Sequence, residues 1–201
     1  VAISSPGAVD TEEGVIKGFS AIPYIHHFKI IDELEAMFGL PVTIENDANC
    51  AGLAESQFGI GKDSKKSIYF ILGTGIGGAV CLDGKLYKGS SLYGGEFGFM
   101  IIKDGITLSN LASPVAVAKK YAKEHGLTDF TGKDLFDLAD AGNSDAKAAL
   151  SEMYDVIAIG IFNWLVSINP DLVGIGGGIS AREDLVPELE KRLQKLDEKT
   201  D

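Results

Sequence analysis

The chain has 201 residues, of which 45% are hydrophobic and 23% charged, and its formal net charge is -11. That acidity argues against a nucleic-acid partner, which needs a basic face, but leaves room for a small anion held by backbone N–H groups. The longest apolar stretch, Val156 to Ile168, is broken by Asn163 and falls short of the ~20 residues of a membrane span, so it is expected to be a buried helix with no membrane partner.

The chain begins at Val1-Ala2-Ile3, which has the character of a strand interior, and the native N-terminus is expected to lie upstream. Val1 to Ser5 is predicted as that strand, closed by Pro6-Gly7. Apolar residues at 28, 30, 31, 34, 37 and 38 give a helix stopped by Gly39. Pro41 to Glu45 is a short strand ending at Asn46-Asp47, and Ala48 to Phe58 turns straight into a helix, for which Asp47 is a candidate cap. Cys50 and Cys81 show no CxxC spacing and no cluster with His26, His27 or His125, so both are expected to be buried thiols in a reducing compartment.

Ser67 to Leu72 is a continuous apolar run, hence a buried strand. It leads into Gly73-Thr-Gly-Ile-Gly-Gly78, and then two short strands flank Asp83-Gly84, the signal of a tight hairpin. Helices are predicted over Ser113 to His125, over Lys133 to Ala139 behind the cap Thr131, and over Ser144 to Ile168, which Asn169-Pro170 stops. A strand at Asp171 to Ile175 precedes Gly176-Gly-Gly178. The S-x-x-E form of Ser180 to Glu183 predicts a capping box and a helix running to about Leu196. The order of elements is that of an α/β class with some antiparallel strands.

Gly73, Gly75 and Gly78 satisfy the G-x-G-x-x-G dinucleotide fingerprint, but that fingerprint requires a helix after the loop and here a strand follows. No Walker A lysine is present either. What remains is a strand–glycine turn–strand unit, in which residues lacking Cβ let backbone N–H groups approach a phosphate and Thr74 adds a hydroxyl. Gly176 to Gly178 lies between a strand and a predicted helix start, which is either close packing or an anion site. Asp47, at a strand end, is either a helix cap or a carboxylate that accepts a substrate proton. Glu96, among the glycines of Tyr93 to Gly98, is either a surface loop residue or a ligand for two neighbouring hydroxyls.

In order and spacing these pieces resemble the ROK family of bacterial repressors and sugar kinases. The matching stretches are Ser5-Pro-Gly-Ala-Val-Asp10, Ile44-Glu-Asn-Asp-Ala-Asn49 with Glu55, Leu72 to Gly78, Gly94-Gly-Glu-Phe-Gly98, and Pro170 to Gly178. The resemblance implies an α/β, actin/hexokinase-like (ribonuclease H-like) fold of two lobes. Residues 1–47 would be the remnant of an incomplete N-terminal lobe, and residues 48–201 a C-terminal lobe carrying the phosphate and adenosine motifs. It also implies ATP-dependent phosphorylation of a hexose or amino-hexose at the 6-hydroxyl, with Mg²⁺ on the phosphates, in a cytoplasmic enzyme that is often a homodimer. Asp47 would be the catalytic base, with Pro6, Gly7, Asn46 and Glu96 at the sugar. Gly73, Thr74, Gly75, Gly77 and Gly78 would hold phosphate, and Gly176, Gly177 and Gly178 would belong to the adenosine motif.

The chain departs from the family pattern in three ways. The N-terminal Asp-x-Gly-Gly-Thr phosphate loop is expected before Val1 and a closing strand and helix after Asp201, so the 201 residues alone are expected to be inactive. Phe99 stands where the zinc-motif histidine belongs and no cysteine cluster follows, which predicts a zinc-free protein. Ser109 replaces a sugar-contacting glutamate. Glucose, fructose, β-glucosides and N-acetylmannosamine are the candidate substrates. The competing readings are a sugar-sensing transcriptional regulator and a degenerate sugar-binding protein without turnover.

Overall fold

The structure, a computed structural model, describes residues 1–18, 20 and 22–199. They fall into two compact units, one made of Val1–Ser67 and Ala79–Gly95, the other of Ile68–Gly78 and the chain from Glu96 onward.

The first unit opens with β1 (Ala2–Ser5), followed by β2 (Ala8–Asp10), β3 (Val15–Lys17), α1 (Ile30–Phe38), β4 (Thr43–Asn46) and α2 (Asp47–Phe58). β1 and β4 pair in parallel, with Ser5 opposite Asn46, while β2 and β3 form an antiparallel ribbon. Val9, Ile16 and Ile44 are buried at its centre, packed against Ile3, Ile30, Ile31 and Leu34. Full burial of such aliphatic side chains contributes roughly 1.5–3 kcal/mol each. α1 ends as predicted at Gly39, whose φ of 64° is the left-handed conformation that a glycine cap supplies.

The chain passes from one unit to the other within β5 (Lys66–Leu72) and again within β6 (Ile76–Leu82), the two strands that flank the glycine loop. The end of β6 pairs with β7 (Lys85–Leu86) through a turn in which Asp83 has φ 50° and Gly84 φ 71°. These are the values of the type I′ hairpin that Asp-Gly predicts. Cys81, on β6, is 1% exposed and burial pushes its thiol pKa up. Cys50 is only partly buried, contrary to expectation, because the small-residue face of α2 that turns inward carries Ala48, Gly52 and Ser56 instead.

The second unit adds β8 (Ile101–Lys103), β9 (Ile106–Thr107), α3 (Leu108–Ala112), α4 (Pro114–His125), α5 (Gly132–Asp140), α6 (Ser144–Ile168), β10 (Leu172–Gly177) and α7 (Leu185–Asp197). β10 lies beside β5. The side chains of Ser113, Thr131 and Asn143 accept hydrogen bonds at the starts of α4, α5 and α6, and Thr131 with Asp134 completes a capping box. α6 is long and apolar enough to cross a membrane by length and composition. Its Leu150, Met153, Ile157 and Ile161 are instead buried in this unit, where the helix packs against α3, α5 and α7. Phe97 is fully buried, its ring 4.4 Å from that of Phe70 and 4.5 Å from that of Trp164.

One expectation fails here. No helix starts at Ser180: the Ser180 hydroxyl donates to the Gly177 carbonyl at 2.8 Å, holding a turn, and α7 begins five residues later at Leu185 without a side-chain cap. The β8–β9 hairpin turns at Asp104 (φ 51°) and Gly105 (φ 77°), the same Asp-Gly signal as at 83–84, in a segment for which no strand was predicted.

Candidate active site

In the first unit, the β1–β4 register releases Pro6-Gly7 and Asn46-Asp47 at neighbouring strand ends. Asn46 joins them. Its Nδ2 donates to the Gly7 carbonyl at 3.1 Å, and its Oδ1 accepts from Asn49 N–H at 3.1 Å. Asn46 is therefore the cap of α2, which starts at Asp47, one residue before the expected Ala48, so of the two readings of Asp47 the helix cap falls away. Gly7 has φ +99°, and a Cβ there would lie 2.8 Å from Ile16 Cγ2 and 2.9 Å from His26 Cε1, so only glycine fits the turn.

Asp47 is the first residue of α2 and is exposed. Its Oδ1 accepts from Ala48 N–H at 2.9 Å, which fixes the carboxylate against its own helix. Behind it, Glu45 Oε1 accepts from Asn46 N–H at 2.8 Å and from Asn49 Nδ2 at 3.3 Å. Glu45 Oε2 pairs with Lys88 Nζ at 2.9 Å, and that amine also donates to the Val9 carbonyl at 2.9 Å. With side-chain exposures of 18% and 19%, Lys88 and Glu45 are partly shielded, so removing either partner would leave a half-buried charge unpaired. Lys88 carried no sequence signal, because its partner is 43 residues away.

In the second unit the glycine loop is the predicted strand–turn–strand. Gly73 N–H bonds the Gly75 carbonyl at 2.9 Å, Thr74 and Gly75 are exposed, and Ile76 begins β6. A Cβ on Gly73 would meet nothing within 4 Å. The second glycine cluster lies against the end of β5: Gly178 N–H donates to the Leu72 carbonyl at 3.0 Å, and a Cβ on Gly177 (φ +97°) would fall 2.2 Å from that carbonyl oxygen. The two clusters thus meet at Leu72. Because α7 starts only at Leu185, no helix N-terminus follows Gly178 directly to favour an anion there, contrary to expectation.

Leu72, Gly73 and Gly178 line a cavity of about 370 Å³ together with Pro114, Phe136 and Arg182. Its size is within the ~300–1,000 Å³ of small-ligand sites. The Arg182 guanidinium lies 4.7 Å over the Phe136 ring, forks onto Asp140 at 2.9 Å and 2.9 Å, and bonds Asp184 at 2.9 Å and 3.0 Å. Those carboxylates raise the Arg182 pKa and take four of its five N–H donors, so this arginine stands as a wall of the cavity. Sequence reasoning missed Phe136 and Arg182, which no motif marks.

Glu96 is partly buried and precedes a single 3-10 turn over Phe97–Phe99. Ser109, on α3, accepts from Ile76 N–H at 2.9 Å through its hydroxyl. Of the predicted site residues, Pro6, Gly7, Asn46 and Asp47 stand together in the first unit. Glu96, Ser109, the loop from Gly73 to Gly78 and Gly176 to Gly178 belong to the second. The segment Phe99 to Ser113 folds as the hairpin and α3, and among the described residues no group of three or more His, Cys, Asp or Glu is arranged to hold a metal.

Within an α/β fold, the second unit thus carries a glycine turn between two strands, and the first an Asn-Asp pair at a strand end. The chain matches the ROK family over residues 1–199 and belongs to it. It is 35% identical over 205 residues to a beta-glucoside kinase of Listeria monocytogenes, covering 98% of this chain and 70% of that protein. A ROK family protein of Streptococcus pneumoniae solved with sucrose superposes with a TM-score of 0.85 at 36% identity, over 96% of this chain and 67% of that one. A ROK family glucokinase of Streptomyces griseus in complex with glucose and AMPPNP gives 0.81 at 27% identity, over 94% and 69%. The fold is accordingly α/β of the actin/hexokinase-like kind.

Proposed function

We propose that this protein is an ATP-dependent sugar kinase that transfers the γ-phosphoryl group of MgATP to the 6-hydroxyl of a hexose or amino-hexose. The reading is supported by family membership and by relatives that are themselves named sugar kinases. The observation that carries it is the exposed Asp47 carboxylate, held at one oxygen by Ala48 N–H and joined through Asn46 to Gly7.

In this reading Asp47 accepts the proton of the sugar hydroxyl as that oxygen attacks phosphorus, a contribution of typically ~10²–10⁴ in rate. Asn46 and Glu96 hold ring hydroxyls, and Pro6-Gly7 offers backbone at the sugar edge. The backbone N–H groups and Thr74 hydroxyl between Gly73 and Gly78 meet the phosphates, where most of the catalysis of phosphoryl transfer is charge stabilisation and positioning. The adenosine occupies the cavity beside Gly178, with Gly176 and Gly177 holding its floor against β5. Mg²⁺ enters as part of the nucleotide substrate and offsets its phosphate charge. The enzyme is read as cytoplasmic, with sugar and ATP as its partners and a second copy of itself as a homodimer.

The test is product analysis on the full-length protein. Incubated with MgATP and a panel of hexoses, β-glucosides and N-acetylhexosamines, it should convert one of them to a phosphate ester. Proton-coupled phosphorus NMR should show that ester on a CH₂ group. An ester on a ring carbon removes the 6-hydroxyl, and no ester with any sugar removes the kinase.

A further inference from the structure

Ser109, expected at the sugar, has its hydroxyl engaged by backbone. Its Oγ accepts from Ile76 N–H at 2.9 Å and donates to the carbonyl of the same residue at 3.4 Å. A single hydroxyl thereby occupies both backbone groups of Ile76, as a neighbouring strand would. Ile76 is the first residue of β6 and is 4% exposed, whereas Thr74 and Gly75 just before it are open to solvent. The hydroxyl is engaged where the loop passes from exposed turn to buried strand.

The support behind Ser109 is stiff. α3 is capped by Thr107, its Leu108 is fully buried, and Leu108 N–H donates to the Met100 carbonyl at 2.8 Å. Space around the contact is minimal. A Cβ on Gly98 would fall 2.3 Å from Ser109 Oγ and 2.2 Å from the Ile76 carbonyl oxygen, while one on Gly75 would lie 3.5 Å from the same Oγ. Three segments therefore converge on this hydroxyl: the glycine loop, the Gly98 turn and α3. Without its partner, Ile76 N–H would be a buried donor left unsatisfied, and the loop would relax to find another.

We propose that Ser109 is a positioning residue that latches the phosphate loop, fixing the N–H groups of residues 73–78 in the array that meets the nucleotide. It acts on ATP and not on the sugar. The inference rests on the kinase reading above. Its proton and one lone pair are spent on Ile76, so the side chain that stands where a sugar-binding carboxylate is expected serves the other substrate.

The experiment is steady-state kinetics of the full-length protein and its S109A and S109T variants, with calorimetric titration of MgAMPPNP. Loss of one hydrogen bond predicts that S109A raises the KM for ATP, and weakens AMPPNP binding, roughly three- to tenfold, with the sugar KM changed less than about twofold. S109T, which keeps the hydroxyl, should return both nucleotide values toward wild type. An unchanged KM for ATP in S109A overturns the latch. So does a rise confined to the sugar KM, or a rise in both that threonine fails to rescue. If the wild-type protein phosphorylates no sugar, the kinase reading is what fails. The latch then stands or falls on whether S109A binds AMPPNP more weakly than wild type does.

Discussion

Asn46 Nδ2 reaches the carbonyl of Gly7 across 39 residues of sequence, at 3.1 Å. One side chain thus caps α2 with its oxygen and ties down the β1 turn with its nitrogen, setting the orientation of Asp47 next to it. Asn46 is 9% exposed, so neither bond is traded cheaply for water.

Asn46→Ala should therefore cost about 2 kcal/mol of stability, a cap and a buried hydrogen bond together. Asn46→Asp keeps the cap acceptor but sets a carboxylate against the Gly7 carbonyl, and should raise the sugar KM more than it lowers the melting temperature. Urea unfolding and sugar kinetics of the two variants check this. Equal stability of Asn46→Ala and wild type would show that the Gly7 bond carries nothing.

The two glycines at the end of β10 should separate folding from binding. Gly177→Ala places a methyl 2.2 Å from the Leu72 carbonyl oxygen in a left-handed backbone, and should cost more than ~2 kcal/mol of stability. Gly178→Ala meets no atom within 4 Å. Its methyl enters open space at the cavity, so it should raise the KM for ATP severalfold with the melting temperature nearly unchanged. Denaturation and ATP kinetics read the pair, and similar behaviour of both would contradict the assignment of the cavity.

Arg182 holds the Asp140 carboxyl below its ordinary value of 3.8. A carboxyl lowered on folding contributes stability that is present above the unfolded value and lost as pH falls through the folded one. Asp140→Asn should thus lower the melting temperature by a constant amount near neutral pH, and the deficit should shrink only below about pH 4. A deficit that is the same at every pH would assign the loss to packing over Phe136.

Much of this architecture was legible because it is local. Ser144 and Ile168 bound α6 where apolar periodicity and the stop at Asn169-Pro170 say they should. Asp83-Gly84 made its hairpin because both residues tolerate positive φ. Ser180 was misread for an equally local reason: the same hydroxyl that caps helices can hold a turn, and here the Gly177 carbonyl took it. Asp104-Gly105 was missed although its signal was present. The Lys88–Glu45 pair, the Arg182 wall over Phe136 and the Ser109 latch could not be read at all, because tertiary contact alone decides which side chain a distant carbonyl or carboxylate meets.

In the proposed reaction Asp47 takes the proton of a sugar hydroxyl during phosphoryl transfer, and the direct measurement is ADP release by the full-length protein and its Asp47→Asn variant. Each is assayed with MgATP and the preferred sugar, with sugar affinity determined separately by calorimetry. The predicted result is a fall in kcat of at least about a hundredfold with sugar affinity within about threefold of wild type. Near-full turnover by Asp47→Asn would contradict it and remove Asp47 from the chemistry.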